Sequence, residues 1–373
     1  VSVDGIISAV SEGETIITVI SEEGGFTATC EVIVFYEPEI IVFTVENTEQ
    51  WNESVEFIRG NGDNKIYEVN VIDDFSLKNR YAGEPTFGLS KNIAVSIIGN
   101  HQLFLCRSIY VGTQQIVTIH DITLNGENRN IGWMVYVDGN NANFIMSGKA
   151  SIINSINGGI NIREYGSFIL KDGTISGNTL YGASGAGVSV SGTFIMLDGH
   201  ITSNNAQQVE QWHGNGGGVS VVGENATFIM YGGAIANNIA SNYGGGVYLG
   251  IDASFYFFNG DISRNKTYLG GYGGGMYVYF GSLSMYGGSI SGNFSPRGGG
   301  LVLDNGDFTI IDGIIYGNIE SGVPEYLANI SNFPHRASMS RLGLEISKYG
   351  DGTDILPHTD ENNQGTDYTI KGK

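Results

Sequence analysis

Hydrophobic and polar positions alternate with a period of two through much of this chain. Phe228 and Met230 are separated by one residue, and so are Val247 and Leu249. Because successive side chains of a β-strand point to opposite faces, this spacing is typical of strands. No apolar stripe at helical spacing occurs between residues 144 and 318. The pattern therefore predicts an all-β region made of short strands.

The alternation is organised in repeats with the consensus aromatic-x-apolar-x-(Asp/Gly/Asn)-Gly-x-Ile-x-x-Asn. Successive copies start 24 to 34 residues apart, so a constant unit is joined by loops of variable length. Repetition at this period is typical of solenoids, in which stacked units bury one another. The copies open at Phe144, Phe168, Phe194, Phe228, Phe255, Leu283 and Phe308, and end at Asn154, Asn178, Asn204, Asn238, Asn265, Asn293 and Asn318.

A second motif, a glycine cluster followed by an apolar residue, lies between the copies, as in Gly216-Gly217-Gly218-Val219. Each unit is therefore predicted to contain three strands: one after the glycines, one at the Phe-x-Met segment and one at the following isoleucine. Stacked at about 4.8 Å per turn, they would form three parallel sheets around a filled interior. Glycine suits the positive φ values of corners, and the terminal asparagines are predicted to bond to one another in a ladder. The predicted fold is an all-β, right-handed parallel β-helix solenoid.

The rest of the chain divides into flanking segments. A predicted helix begins at Asn47-Thr48 and ends at Gly60, and its apolar face is formed by Trp51, Val55 and Ile58. We expect it to cover the first coil, because natural proteins protect exposed strand edges. The predicted segments are a partial β segment of three strands (1–35), a linker and capping helix (36–65), the β-helix (66–318) and a C-terminal coil and cap (319–373).

Three short motifs in the first segment resemble the C-terminal half of a group 2 bacterial immunoglobulin-like domain. They are Asp4-Gly5-Ile6, Gly13 to Ile17 and Ala28 to Val32. Together with the helix and the glycine-rich coils, they make the chain similar to large bacterial surface proteins that carry a pectate-lyase-like right-handed β-helix. The resemblance implies secretion and a location at the cell surface or outside the cell. Because Val1 begins within a strand-like pattern, we also expect the chain to be a piece of a longer secreted protein. It implies no particular activity, since a shared fold says little about chemistry.

The charge of the chain narrows the choice of partner. The formal net charge is −20 with only 15% charged residues, so nucleic acid and anionic membranes are poor partners. No apolar run approaches the roughly 20 residues of a membrane span. We therefore expect no nucleic acid and no membrane insertion, and a glycan, a surface protein or calcium fits better. Cys30 and Cys106 are expected to be buried free thiols, with a disulfide as the alternative.

Candidates for catalysis are few. A lyase or hydrolase of acidic polysaccharides needs converging Asp residues, with or without an Arg base. Asp172, Asp198 and Asp312 occupy one column, but each precedes a corner glycine, where Asp is also a favoured turn residue. His200 is expected to be a surface residue. We therefore predict no catalytic residues.

Metal ligands are also weakly indicated. Glu224, Asp252, Asp304 and Asp307 lie near the turn that follows the glycine-cluster strand and could bind calcium through carboxylate oxygens. Their offsets vary from copy to copy, so scattered solvated charges are the alternative.

Two features are candidates for ligand binding. The longest repeat carries extra residues between Asn204 and Gly216, among them Glu210, Trp212 and His213; plain variation in loop length is the alternative. Aromatic residues are also predicted to point outward, where they could bind a glycan or a partner or stabilise the solenoid by stacking between turns. They are Tyr248, Tyr277 and Tyr279 on one sheet and Tyr231, Phe258 and Tyr286 on the next.

The outward side of the Phe-x-Met sheet is predicted to be unusually apolar, with Ile145, Ile169, Ile195, Ile229 and Tyr256 in one column. We expect the tail after Asn318 or another molecule to cover it, and self-association of the chain through this face is one form of that cover. Three functions follow: an adhesin-like or glycan-binding surface module without catalysis, a lyase or glycoside hydrolase acting on acidic polysaccharide, or a structural spacer or assembly subunit.

Overall fold

The computed structural model describes residues 13–20, 24–25, 27–34, 39–77, 83–210, 213–268 and 270–320, and five short strands beyond residue 329. Contacts divide the chain into two compact units, Val1–Ile41 and Val42–Lys373. In the first unit, the strands Gly13–Ile20 and Thr27–Val34 form an antiparallel hairpin in which Ile17 pairs with Cys30. The third strand predicted there, near residues 3–10, lies outside the described residues.

The expected burial of the two cysteines is wrong, although both are free thiols. Cys30 is exposed, because a two-stranded hairpin leaves its faces open to solvent, and Cys106 is half-buried. The Cys106 Sγ atom accepts a hydrogen bond of 3.1 Å from Arg129 Nη1.

The second unit contains the one helix in the described part of the chain, Thr48–Asn61. Asn47 caps it by accepting hydrogen bonds from the backbone N–H groups of Glu49 and Gln50, and Trp51, Val55 and Ile58 are buried as predicted. It ends at Asn61, one residue later than expected, and Gly62 is its C-cap. A Cβ atom at Gly62 would lie 1.8 Å from Ser90 Oγ.

The helix packs against the first coil, as expected. The rings of Trp51 and Phe87 are 6.4 Å apart, and Thr48 Oγ1 donates a hydrogen bond of 2.5 Å to the Ser76 carbonyl. Arg59 Nη1 donates another, of 2.8 Å, to the Pro85 carbonyl. The helix is therefore joined to two parts of that coil, the strand Phe75–Leu77 and the segment that contains Pro85 and Phe87.

The described strands of the coils stack into a parallel β-helix with four sheets, one more than predicted. The Phe sheet has thirteen strands: Ile40–Val45, Ile66–Val71, Ile93–Ile98, Gln115–His120, Ala142–Ser147, Gly166–Leu170, Thr193–Met196, Thr227–Met230, Ser254–Phe257, Ser282–Met285, Asp307–Ile310, Ser338–Arg341 and Leu344–Glu345. The Ile sheet has ten: Phe75–Leu77, Gln102–Leu105, Thr123–Asn125, Ser151–Ile153, Thr174–Ser176, His200–Thr202, Ala234–Ala236, Asp261–Ser263, Ser289–Ser291 and Ile314–Tyr316.

The Val sheet has nine strands: Ile109–Val111, Val135–Val137, Ile160–Ile162, Val188–Val190, Val219–Val221, Val247–Leu249, Met276–Tyr279, Leu301–Asp304 and Ile330–Asn332. The corner sheet, which was not predicted, has six short strands: Thr179–Tyr181, Asn205–Gln207, Ile239–Ala240, Lys266–Thr267, Phe294–Ser295 and Ile319–Glu320. A separate antiparallel pair joins Pro357–His358 and Asp367–Tyr368. From residue 188 to 320, each turn runs through the Val, Phe, Ile and corner sheets in that order.

The predicted interior column of the Phe sheet is confirmed. Phe144, Phe168, Phe194, Phe228 and Phe255 are fully buried. Successive ring centroids along this column are 5.6, 4.9, 4.7 and 4.3 Å apart. Leu283 and Phe308 continue the column in register.

The asparagine ladder is confirmed from Asn178 onward and wrong at Asn154. From Asn178 to Asn293, each Nδ2 group donates to the Oδ1 atom of the next asparagine, as Asn204 does to Asn238 at 3.0 Å. The turn that opens at Phe144 has one more residue at its corner, because Ser151 pairs with Thr174. Ser155 therefore takes the ladder position, and its backbone N–H donates to Asn178 Oδ1.

The outward column of Ile145, Ile169, Ile195, Ile229 and Tyr256 is also in register. The four isoleucines are half-buried and Tyr256 is exposed. After residue 329, the strand Ile330–Asn332 pairs with Leu301–Asp304, and Ser338–Arg341 pairs with Asp307–Ile310. These strands extend the end of the stack and do not lie on the outward column. Beyond them, the predicted cap is described only at the short strands Leu344–Glu345, Pro357–His358 and Asp367–Tyr368.

Candidate functional site

A second outward column follows the Phe sheet at its edge. The backbone N–H of each residue in this column continues the hydrogen-bond pattern of the sheet. Tyr231, for example, donates to the Met196 carbonyl at 2.8 Å. In this column the rings of Tyr231 and Phe258 are 5.0 Å apart and those of Phe258 and Tyr286 are 4.6 Å apart, both pairs within about 12° of parallel. The three side chains are 48, 37 and 37% exposed. We call Tyr231, Phe258 and Tyr286 the aromatic ladder.

A shallow groove of about 550 Å³ lies beside the aromatic ladder. Its floor is made of corner glycines and its far wall of the outward residues of the Ile sheet. The glycines are required by the turn: Gly233 has a φ of +82°, and a Cβ at Gly232 would lie 2.7 Å from the Leu197 carbonyl oxygen. Gly260 and Gly288, at the same corner position as Gly233, also have positive φ. Because these three residues have no side chain, a groove results. It is lined by His200, Gly232, Gly233, Ala234, Asn259, Gly260, Asp261, Gly288, Ser289 and Ile314.

The groove contains a few polar groups. Asp261 is exposed, and its Oδ1 atom accepts a hydrogen bond of 2.6 Å from Ser289 Oγ. Asn259 and His200 are also exposed. Flat apolar rings next to carboxylate, amide and hydroxyl groups can stack on one face of a ligand and bond to its edge.

Tyr277, a predicted ligand-binding residue, lies on the outward side of the Val sheet but is only 4% exposed. The Tyr243 ring stacks on it at 4.6 Å, Tyr248 lies 6.1 Å away, and its hydroxyl donates to Asp304 Oδ2 at 2.5 Å. Burial, followed by this hydrogen bond, raises the pKa of Tyr277. The contacts favour the alternative, stacking that stabilises the solenoid.

The other two tyrosines of that prediction are half-buried. Burial raises the pKa of Tyr248 to about 12. The Tyr279 ring packs edge-on against Phe280 at 4.7 Å. Neither lies in the groove, because both belong to the Val sheet and the groove is lined by corner residues and the Ile sheet.

The long loop lies next to these tyrosines and is likewise separate from the groove. Glu210 and His213 are exposed, whereas Trp212 lies outside the described residues. His213 Nδ1 is 3.1 Å from Asn242 Nδ2, and its ring is 6.1 Å from Tyr243. Of the loop candidates, the structure therefore places His213 next to Tyr243, which stacks on Tyr277.

The acidic candidates for calcium do not form a cluster. Glu224 and Asp252 are exposed and lie in different turns from Asp304 and Asp307. Asp304 is already bonded through Oδ2 to Tyr277 and through Oδ1 to Asn305. Among the residues that the structure describes, no three His, Cys, Asp or Glu side chains are close enough together to hold a metal ion.

The corner aspartates have the predicted role in turns. The Oδ1 atoms of Asp172, Asp198 and Asp312 accept hydrogen bonds from the N–H of the next glycine at 2.6, 2.8 and 2.8 Å. They therefore stabilise the corner conformation of their own turns.

Several residues at this edge were missed by the sequence analysis. Asn259, Asp261 and Ser289 vary from turn to turn, so the repeat gives no signal for them. Ser147 and His120 are paired neighbours in the same second outward column, and no motif marks them. Ser147 and His120 could have been placed side by side only by working out which residues pair between successive turns.

Comparison of the chain with protein-family models, with curated proteins and with solved structures finds no match. In the described residues, no helix has the length and apolar character needed to cross a membrane.

Proposed function

We propose that this chain is a glycan-binding module of the adhesin type, and that the aromatic ladder and the groove beside it hold the glycan. The observation that carries the proposal is the ladder itself, with near-parallel rings 5.0 and 4.6 Å apart that remain between 37 and 48% exposed. Exposed contiguous apolar surface is typical of an interaction site. A pyranose ring has an apolar face that suits an aromatic ring and hydroxyl groups that suit Asp261, Asn259 and Ser289.

The charge of the chain favours a neutral or amino-bearing glycan over a polyuronate. The formal net charge is −20, and Asp261 lies in the groove itself. A polymer with a carboxylate on every sugar would meet like charge along its whole length. Glycans that carry hydroxyl or ammonium groups avoid this repulsion.

We further propose that the module belongs to a secreted bacterial surface protein. Two observations support this proposal: two of the immunoglobulin-like motifs, Gly13 to Ile17 and Ala28 to Val32, lie on the two strands of an antiparallel hairpin, and the described strands of the second unit form a parallel solenoid. The partial immunoglobulin-like domain and the extracellular location remain part of the proposal.

Binding without cleavage of the glycan backbone is favoured over a lyase or glycosidase reaction. The aspartates that would be needed, Asp172, Asp198 and Asp312, each bond to their own turn. Assembly of copies is a second candidate function, because Ile145, Ile169, Ile195 and Ile229 keep partly exposed apolar side chains in one straight column.

The test is binding to a panel of neutral, amino-bearing and acidic polysaccharides, measured by calorimetry or by co-sedimentation with insoluble glycans. Tyr231→Ala and Phe258→Ala should each weaken binding roughly two- to tenfold, the value expected for one lost stacking contact. Tyr181→Ala is the matched control, since Tyr181 is 50% exposed but lies on the corner sheet. Binding that is unchanged in the ladder variants, or reduced equally by the control, would contradict the proposal.

A further inference from the structure

Three side chains at the start of the second outward column form a connected group. Ser147 Oγ lies 2.9 Å from His120 Nδ1, and His120 Nε2 lies 3.3 Å from Asp121 Oδ2. Ser147 and His120 end adjacent strands of the Phe sheet and face each other in register. A hydroxyl within hydrogen-bond reach of an imidazole, which is itself oriented by a carboxylate, is the geometry of an activated nucleophile.

Asp121 is fixed by contacts of its own. Its Oδ1 atom accepts a hydrogen bond of 2.7 Å from the Lys149 backbone N–H, which leaves Oδ2 to face the imidazole. Gly148 makes this approach possible, because its φ is +64° and a Cβ there would lie 2.3 Å from Asp121 Oδ1. The Asp121 carboxylate, 3.3 Å from Nε2, favours the tautomer of His120 that carries its proton on Nε2. The Nδ1 lone pair is then left to accept the Ser147 hydroxyl proton.

The group is open to solvent and continuous with the aromatic ladder. The side chains of His120 and Asp121 are 45 and 30% exposed. The second outward column continues from Ser147 through Lys171 and Leu197 to Tyr231. Three turns of about 4.8 Å place Ser147 roughly 14 Å from Tyr231, so a glycan of several sugars on the ladder would reach it. The Lys171 ammonium, next in the column, has the charge that stabilises an oxyanion.

We propose that Ser147 and His120 cleave acyl esters, with Asp121 as a positioning residue. The substrate class is an O-acylated glycan bound along the second outward column, and this part alone rests on the proposed function. The reaction would remove acyl groups and leave the glycosidic bonds intact.

The chemistry has two steps. Ser147 Oγ bonds to the ester carbonyl carbon while His120 Nδ1 takes the hydroxyl proton; the carbonyl–alcohol bond then breaks, and the leaving oxygen takes that proton. In the second step, water gives a proton to His120 and attacks the acyl-serine. The bond between the acyl carbon and Ser147 Oγ then breaks and the carboxylic acid leaves. Ser147 Oγ takes back the proton from His120.

The first experiment uses 4-nitrophenyl acetate and a fluorophosphonate label, with the labelled peptide identified by mass spectrometry. The wild-type chain should hydrolyse the ester and be labelled at Ser147. Ser147→Ala and His120→Asn should lower kcat by about a hundredfold or more. Asp121→Asn should lower kcat and the rate of labelling with little change in KM, which a purely structural role would not produce.

Two variants serve as matched controls. His101 Nδ1 lies 3.1 Å from Asp74 Oδ1 in a similar exposed pair, and Ser284 is an outward serine of the Phe sheet. His101→Asn and Ser284→Ala should keep full activity. The esterase proposal is overturned if Ser147 is not labelled in the folded chain, or if Ser147→Ala hydrolyses the ester as fast as the wild type.

The second experiment uses acetylated xylan, a neutral O-acylated polysaccharide, and measures released acetate. Tyr231→Ala should raise KM for this polymer and lower the ratio of kcat/KM for the polymer to kcat/KM for 4-nitrophenyl acetate. If Ser147 cleaves esters but Tyr231→Ala does not change KM for the polymer, the esterase activity is supported and the glycan is refuted as its substrate. Glycan binding without ester cleavage would refute the esterase and leave the proposed function intact.

Discussion

The rings of Phe194 and Phe228 lie 4.7 Å apart and within 2° of parallel at the centre of the solenoid. The distance equals the spacing of hydrogen-bonded strands, so each turn supports the next with the same side chain. The core is therefore a column of identical contacts, and removal of one ring leaves a cavity that the fixed strand spacing prevents from closing.

Phe228→Ala is expected to lower the free energy of unfolding by roughly 3–5 kcal/mol, because the side chain is fully buried between two other rings. Urea denaturation followed by circular dichroism measures the change. Tyr231→Ala, three residues away on the outward side, is the control and should cost much less. Equal losses in the two variants would mean that the Phe column is not the main source of stability.

Asn238→Ala is expected to lower the free energy of unfolding by about 1–3 kcal/mol for each buried group that loses its partner. Those groups include the Asn204 N–H and Nδ2, which donate to Asn238 Oδ1, and the Ile201 carbonyl, which accepts from Asn238 Nδ2. The control is Asn154→Gly, since Asn154 has a φ of +60° and is outside the ladder. If Asn154→Gly lowered the free energy of unfolding as much as Asn238→Ala, the ladder would not contribute more to stability than an asparagine outside it.

Ile195→Glu tests association through the outward column. If copies of the chain associate through this face, the charge should shift the oligomer towards monomer in analytical ultracentrifugation, with an unchanged circular dichroism spectrum. Thr309→Glu, in a polar part of the same column, should have little effect. Unfolding of the Ile195 variant would show that the face is core, and an unchanged monomer would show that this column has no role in association.

Alkaline pH is expected to destabilise the chain through the buried tyrosines. The pKa of Tyr248 is raised to about 12 by burial, whereas a tyrosine of the unfolded chain titrates near pH 10. Below about pH 10 both states hold the proton and the contribution is complete; as the pH rises towards 12, only the unfolded state loses it and stability falls. Tyr248→Phe should make this fall less steep in urea denaturation at pH 8 to 11, while Tyr181→Phe, at an exposed position, should not. An unchanged slope in the Tyr248 variant would contradict the assignment.

The repeat in the sequence was sufficient to predict the solenoid, the Phe column and most of the asparagine ladder. Each of these depends on spacing within one short segment: a period of two selects the side chains that face inward, and a copy in every turn places them in line. The aromatic ladder was predicted for the same reason, since Tyr231, Phe258 and Tyr286 hold one fixed position after the strand.

Other features depend on the lengths of the corners and on what packs outside the sheets. One additional corner residue moves Asn154 out of the ladder and puts Ser155 in its place. Tyr277 holds an outward position in the alternating pattern of its strand, where exposure is expected, yet the Tyr243 ring covers it. Period and composition contain no information about either effect.

The contact between Ser147 and His120 joins residues that are 27 positions apart, and the groove joins residues from several turns. The sequence by itself determined which side chains point outward, because alternation along a strand is a local property of the backbone. Only the tertiary structure decided which of them meet, because neighbours on the outside of a solenoid are set by the register between turns, and that register depends on the length of every intervening corner and loop.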